Sequence, residues 1–577
     1  MLFSFKNNTL KYKKSYFNGT CKYRCIFPNG DKRIKYNKWK SIKNAKPDCD
    51  IFEVICKSLT TKEIIFYDIF LQFVKLNIIP NEKVNFLKSF YPIDKVKHNY
   101  NVHLIIIDSV SHFNALRGFS KTLKYLKDNY KGVIFKYLNK VGYGSKPNGF
   151  AFLLNKRIID LQDFETDNFI PSDFDNSTDP CKQYLDNQPY IGKYYRQLNY
   201  TILFNEDSYE SIFTMNDCKG FLKNIHHHTT RPFLHKLKLL QYDSKYKNSR
   251  FFKSKCFINP DYQLEYLKSF MEAYKNRRQF TITWLSKFSH DNLTGHYAYD
   301  NLFKTFFQNN KNLFNNGFLI FMGDHGFKMG LYRNTELGNY EDRNPFLLIA
   351  PPKKLRTSSS EVYKNLMFNS DKHISQFDVY ATLFDIATEG SRNNFTNMKN
   401  FDFNNIVKND IIKGLSLLRK ITTSRNCLEM EITSQYCLCY NYHHNLNKKL
   451  LKKIKDKFIN NGNIQFNINS VIRYIKNKFI KHLNNKIKLT KSKNICAKIK
   501  ESKNGLFDMK YFVSKNNTLV FFIKQEVKPK GIYEAYFDEK GNLLNLAITR
   551  IDQYSKYIRK CNPSRKIENY CYCKNNK

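Results

Sequence analysis

The sequence predicts an α/β fold in which a mostly parallel central sheet is covered by helices on both faces, with a small cysteine-bearing module at each end. Three features carry that expectation. Short apolar runs stop abruptly at polar residues, the pattern of strands buried on both faces. Helix-compatible segments lie between several of them, as parallel strands require. Most of the fourteen cysteines stand outside this stretch, before residue 57 or after residue 426. At 577 residues and 68.8 kDa the chain exceeds what one core usually supports, so at least two domains are expected.

Taken in order, residues 1–97 are polar and punctuated by Pro28, Gly30 and Pro47, and read as a module of short strands. The next unit, residues 98–420, opens with the apolar run Val102–Asp108, followed by a helical segment holding Leu123 and Leu126. Further strands are expected at Phe280–Leu285, Phe318–Met322 and Pro345–Ala350, and helices at Tyr297–Phe307 and Phe377–Ala387. Residues 421–577 turn cysteine-bearing and strand-rich again, as at Asn517–Ile523. The lysine-rich stretch Lys448–Lys493 carries Leu450, Leu451, Ile454 and Phe458 at helical spacing and reads as a solvated helix face.

Apolar residues at 42% and charged residues at 25% exclude collagen, a coiled-coil rod and wholesale disorder. No apolar stretch is long enough for a membrane-spanning helix. The net charge of +46 invites a nucleic-acid reading, but Lys is enriched together with Asn, Ile, Tyr and Phe, as an A- and T-rich coding bias would produce. No specific nucleic-acid partner is expected; a peripheral anionic surface is compatible with the lysines. The cysteines lack paired CxxC motifs and read as a disulfide framework of an oxidising compartment. Seven N-x-Ser/Thr sequons, at Asn7, Asn18, Asn176, Asn199, Asn292, Asn394 and Asn516, agree. The opening Met1–Asn8 has no apolar core of a signal peptide, so either a signal or anchor lies upstream of this sequence, as extracellular or secretory residence requires, or the chain is cytosolic and its cysteines are free thiols.

In an open α/β sheet, ligands sit beyond the carboxyl ends of the strands. Two places qualify: Asp108-Ser109 after the first strand, and Gly323-Asp324-His325-Gly326 after a later one. A carboxylate beside an imidazole can offer two ligands to one cation. The loop Gly142-Tyr-Gly144-Ser145-Lys-Pro147-Asn148 presents a hydroxyl and, placed before a helix, aims backbone N–H groups at an anion. A serine there is a weak nucleophile until a divalent cation lowers its pKa. Asp108, Ser145, Asp324 and His325 are therefore the expected metal ligands, with Ser145 also the catalytic nucleophile. His226-His-His228 follows no recognisable strand and reads as an exposed loop; His296 and Asp300, four apart, are not assigned.

Several segments together resemble the DUF229 family of the alkaline phosphatase and sulfatase superfamily. They are Leu104–Phe113, Lys140–Asn148, Phe321–Gly326 and Thr335–Phe346, with Cys21-x-Tyr23-Arg24 at the start and Arg425-x-Cys427 and Cys437-x-Cys439 near the end. The resemblance implies an alkaline-phosphatase-like α/β/α sandwich and a divalent cation, zinc or manganese, with calcium or magnesium as alternatives. It implies a hydrolase of phosphate esters or diesters acting on an anionic, glycan- or lipid-linked substrate. A phosphoethanolamine-type transferase, a sulfatase-like enzyme, or an inactive extracellular binding protein that retains the fold are the alternatives. The family commonly carries Thr where Ser145 stands, and an acidic residue where Tyr143 stands. Sulfatase chemistry is disfavoured, because the Cys-x-Pro-x-Arg context needed for formylglycine is missing around Ser145-x-Pro147. His290, matching a family histidine, and Asn148 are expected to contact substrate; Glu341 and Arg343 are expected to brace the neighbouring loop through a local ion pair.

Overall fold

The computed structural model of the protein describes residues 3–6, 9–12, 19–42, 45–77, 79, 87–88, 91, 100–166, 168–175, 179–242, 260–408, 410–439, 444–446, 468–488, 494–502, 504–544, 548–552, 561 and 565–574. Its centre is a seven-stranded sheet of β1 (Asn101–Ile107), β2 (Val133–Phe135), β3 (Thr201–Glu206), β4 (His228–Thr229), β5 (Gln279–Leu285), β6 (Gly317–Gly323) and β7 (Leu347–Ala350). The order is β4-β3-β5-β1-β6-β7-β2, parallel throughout except at β7, which runs antiparallel to both neighbours. The four expected strand runs thus form β1, β5, β6 and β7, and every residue of these four is buried.

Side-chain alternation sorts the core into two layers. Leu104 and Ile106 of β1, with Phe280, Ile282 and Ile320, pack against α3 (Ser145–Leu154), α4 (Ile191–Gln197) and α9 (Gln376–Ala387). Ile105 and Ile107, with Leu319 and Phe321, pack on the other face against α2 (Ser120–Tyr130), α6 (Asp261–Ala273) and α7 (Asp300–Asn309). Each such buried side chain contributes about 1.5–3 kcal/mol. The result is an α/β/α sandwich. The remaining helices named here are α1 (His112–Gly118), α5 (Arg231–Tyr242) and α8 (Glu336–Arg343).

The N-terminal module holds a hairpin (Phe3–Lys6 with Thr9–Tyr12) and a five-stranded sheet. Three of its strands are longer than expected, Gly19–Asn29 at eleven residues and Ile51–Ser58 and Ile64–Leu71 at eight each; disulfide Cys21–Cys56 joins the first two of these, and Cys25–Cys49 ties the first to the segment just before the second. Ile26 and Ile69 of this sheet pack against Phe233, Leu234 and Leu237 of α5. The C-terminal sheet is built around Phe507–Val513, Leu519–Lys528 and Gly531–Asp538, backed by the helix Ile468–Lys488, which turns Ile475, Phe479 and Leu483 inward. Leu450, Leu451, Ile454 and Phe458 lie outside the described residues, as do the sequons at Asn7, Asn18 and Asn176. Cys181–Cys218, Cys427–Cys437, Cys496–Cys571 and Cys561–Cys573 complete six disulfides, and Cys439 is unpaired among the described residues. No described helix is long and apolar enough to cross a membrane.

Candidate active site

Strand register sets the site. Ile107 of β1 lies beside Leu285 of β5 and Gly323 of β6, so Asp108, Ser286 and Asp324 leave the sheet at one level. Ser109 then takes a left-handed conformation (φ 63), which turns its backbone N–H to Asp324 Oδ1 (3.0 Å) and its hydroxyl to Asp108 Oδ1 (2.8 Å). The His325 N–H donates to the same Asp324 oxygen (2.9 Å), and the close passage of the Glu341 carbonyl leaves room only for glycine at 326, where a Cβ would stand 1.9 Å from that oxygen.

Ser145 is the first residue of α3, where free backbone N–H groups and the positive end of the helix dipole favour negative charge. Its Oγ lies 3.4 Å from Asp108 Oδ2 and 3.4 Å from His325 Nε2. His325 Nδ1–H donates to the Gly326 carbonyl (2.7 Å), so the Nε2 lone pair faces the cluster, 3.7 Å from Asp108 Oδ1 and 3.6 Å from Asp324 Oδ2. One ligand atom each from Asp108, Asp324 and His325 lies within 4.8 Å of the others, all buried, and Asp324 Oδ2 is a buried oxygen with no hydrogen-bond donor. Two carboxylates, an imidazole lone pair and a hydroxyl around one buried point form a set that suits a divalent cation.

The electrostatics agree. Burial, reinforced by the charge of Asp108, pushes the Asp324 carboxyl up to about 7. Burial would raise Asp108 as well, but the charges of His290 and Lys328 and the hydrogen bond from Ser109 hold that carboxyl below its usual range. His290 is held by Asp291 (Nδ1 to Oδ1, 2.8 Å), and its imidazole is raised above its usual value chiefly by the charge of Asp108.

Sequence reasoning missed two participants. The Lys328 ammonium sits against Gly144, where a Cβ would lie 2.6 Å from Nζ and 3.9 Å from His325 Nε2, and nothing distinguished it among the chain's many lysines. Asp207, just past β3, accepts from the backbone N–H of Ser286 (2.8 Å) and Lys287 (3.0 Å) and fixes the loop leading to His290. Burial raises this carboxyl to about 6.

Other expectations are corrected. Asn148 is fully buried and its amide is spent inside the loop, with Oδ1 accepting from Val141 N–H (2.8 Å) and Nδ2 donating to the Gly144 carbonyl (2.8 Å), so it braces the loop before Ser145 instead of presenting a free amide to a ligand. Glu341 pairs not with Arg343 but with Arg117 (2.8 Å), and also accepts from Ser111 Oγ (2.7 Å); Arg343 donates to the Cys437 carbonyl (3.3 Å). His226–His228 is no exposed loop: His226 and His228 are buried, and His228 lies on β4 between Asp50 (2.7 Å) and the Tyr274 hydroxyl (2.9 Å). The aromatic and polar neighbours that consume these rings come from distant segments, invisible in local sequence. His296 and Asp300 are structural, the first bonded to the Asn114 carbonyl and the second capping α2 through the N–H groups of Lys121 and Thr122.

A family model described as "Protein of unknown function (DUF229)" matches residues 3–504. No curated protein sequence matches the chain. Among solved structures it is similar to the C-terminal periplasmic domain of EcEptC from Escherichia coli (12% identity over 62% of this chain and 94% of that one, TM-score 0.32). It is similar also to the lipoteichoic acid synthase LtaP from Listeria monocytogenes (12%, 57% and 78%, TM-score 0.35). A third is a protein in the alkaline phosphatase superfamily from Vibrio parahaemolyticus (13%, 53% and 72%, TM-score 0.33).

Proposed function

The chain belongs to the DUF229 family, and from that premise we propose that it is a metal-dependent hydrolase of phosphate esters or diesters in which Ser145 is the nucleophile. The observation that carries this reading is the meeting of Asp108, Ser145, Asp324 and His325, from three segments far apart in sequence, around one buried point. Asp108, Asp324 and His325 would hold the cation, joined by Ser145 Oγ. When bound, it supplies positive charge that lowers the pKa of the serine hydroxyl and neutralises the transferring group.

The chain's own groups do the rest. The N-terminus of α3 favours the alkoxide form of Ser145. The Lys328 ammonium supplies a fixed positive charge for the non-bridging oxygens of the substrate. Attack forms the Oγ–phosphorus bond as the ester P–O bond breaks, with His290 as the proton donor to the leaving oxygen. Water then cleaves the phosphoserine and restores the hydroxyl.

The test is direct. The purified chain is expected to carry a stoichiometric divalent metal and to hydrolyse 4-nitrophenyl phosphate or its bis ester. Ser145→Ala should keep the metal and lose turnover by about a thousandfold or more. Asp324→Asn should lose both. A folded chain without metal and without turnover overturns the reading.

Residence outside the cytosol is part of the same proposal. Six disulfides support it, and the four described sequon asparagines, Asn199, Asn292, Asn394 and Asn516, are all exposed. Expression through a secretory pathway should give a chain whose mass falls on treatment with peptide N-glycosidase; a mass that does not change counts against it.

A further inference from the structure

We propose that the tip of the N-terminal sheet docks on a lipid bilayer that carries anionic headgroups. The tip is the hairpin that joins Ile51–Ser58 to Ile64–Leu71, with the sequence Lys57-Ser-Leu-Thr-Thr-Lys-Glu-Ile-Ile65. Its backbone is well held. The Ser58 N–H donates to the Glu63 carbonyl (3.0 Å), the Ser58 hydroxyl accepts from the N–H groups of Thr60 and Thr61 (3.2 Å each), and Lys62 turns the chain in a left-handed conformation (φ 58). Every residue from Leu59 to Ile65 is exposed.

Two properties define the surface it meets. The first is apolar area. Leu59, Ile64 and Ile65 are 47%, 38% and 46% exposed. A register shift crowds the last two together: Lys57 pairs with Ile64 but Cys56 with Phe66, so Ile65 has no cross-strand partner and the alternation that would turn one isoleucine inward is broken. Single exposed aliphatic side chains are ordinary on a protein surface; three on one hairpin tip, where polar residues are the rule, are not. The second is charge. Lys57 lies beside Thr20, and Lys22 follows Thr20 on the same face of the sheet; with Lys62 in the turn, all three lysines are exposed. Glu63 is the one acid between Lys57 and Ile65, and Glu53, farther in on that face, is buried and held by Arg24 and Lys236. An anionic bilayer answers both properties. Aliphatic side chains enter the boundary between headgroups and acyl chains, while the lysine stems carry their ammonium groups to the lipid phosphates and carboxylates. A sulfated polymer would pair the lysines and leave the aliphatic tip in water. A protein partner would need far more than a turn, since each side of a standard interface buries roughly 800 Å².

The experiment is sedimentation of the full chain with sucrose-loaded vesicles of phosphatidylcholine, with and without about one third phosphatidylserine. The net charge of +46 favours any anionic surface, so the decisive comparison is between variants. The wild type should bind the phosphatidylserine vesicles at least about tenfold more tightly than phosphatidylcholine alone. Leu59→Ser with Ile65→Ser should weaken that binding by about tenfold or more, and Lys57→Gln with Lys62→Gln by about tenfold. Both variants should melt within about 2 °C of the wild type, because every altered side chain is exposed. Lys481→Gln with Lys488→Gln, at exposed positions of the helix Ile468–Lys488, removes the same charge elsewhere and should bind as the wild type does. Failure to sediment with phosphatidylserine vesicles overturns the proposal, as does equal binding to phosphatidylcholine alone. Wild-type binding by the folded Leu59 and Ile65 variant, or an equal loss in the Lys481 and Lys488 variant, overturns it too, by reducing the attraction to diffuse charge.

Discussion

At Gly144 the backbone is extended (φ −151), a conformation open to any residue, yet a Cβ there would stand 2.6 Å from the Lys328 ammonium. The obstacle is the flexible end of a side chain, so alanine would displace the charge rather than the fold. Gly144→Ala is therefore expected to raise KM for an aryl phosphate by about tenfold while the melting temperature moves by less than about 2 °C. Lys328→Met should reproduce the kinetic effect. An alanine variant that melts early but keeps its KM would show that the glycine serves the backbone instead. At this scale the residues that meet in the cluster are ones the sequence marks by position: Asp108, Asp324 and His325 each follow an apolar run, and Ser145 opens a helix after a glycine loop. Lys328 was not readable, because its role comes only from where its ammonium ends. Asn148 was misread, because an amide that braces its own loop has the same local sequence as one that faces a ligand.

The same contrast governs the elements. Val102–Asp108, Phe280–Leu285, Phe318–Met322 and Pro345–Ala350 were legible because apolar residues predominate in each and the polar ones inside them are only His103, Thr281 and Thr283. Thr201–Glu206 is as deeply buried but carries Thr201, Asn205 and Glu206. Partners such as the Gln263 carbonyl for Asn205 Nδ2 (2.9 Å) offset the burial of these polar groups, and a local pattern cannot show them. Val133–Phe135 is too short to stand out. Buried polar residues also give β1 a pH dependence. His103 bonds through Nδ1 to Thr281 Oγ1 (2.9 Å), and burial lowers its imidazole to about 3, against 6.5 for the free side chain. The unfolded chain therefore takes up a proton below pH 6.5 that the folded chain refuses until about pH 3, and stability falls as pH drops through that window. His103→Leu removes this contribution. The melting temperature of the wild type should fall relative to the variant between pH 7 and pH 4, and a gap that stays constant across that range would mean that the ring is charged in the fold.

For the whole molecule the question is how the C-terminal sheet is tied to the catalytic sandwich. The Tyr143 hydroxyl, in the nucleophile loop, donates to the Arg550 carbonyl (3.0 Å), and Gly330 N–H donates to the Ile551 carbonyl (2.9 Å). The stronger link is charged. Arg333 is buried between Glu534 of the sheet (2.7 Å) and Asp342 of α8 (2.8 Å), and Asp342 in turn holds Lys140, which leads into the nucleophile loop. A buried pair of this kind adds little net stability, and stranding one partner costs about 3–5 kcal/mol; Arg333 keeps Asp342 when Glu534 is replaced, so Glu534→Gln incurs only part of that. Glu534→Gln is thus expected to lower the melting temperature. Because the penalty falls at the boundary rather than within either core, a single calorimetric transition should also separate into two, the sheet melting first. Asp108, Ser145, Asp324 and His325 form no hydrogen bond or ion pair with these groups among the described residues, so on the proposed mechanism the variant should, below the first transition, keep its metal content while kcat falls through the loosened Lys140–Ser145 segment. If Glu534→Gln melts in one transition at the wild-type temperature, the ion pair does not couple the two units, and the remaining contacts across the boundary, such as the packing of Phe164 against Phe522 and Tyr536, are sufficient.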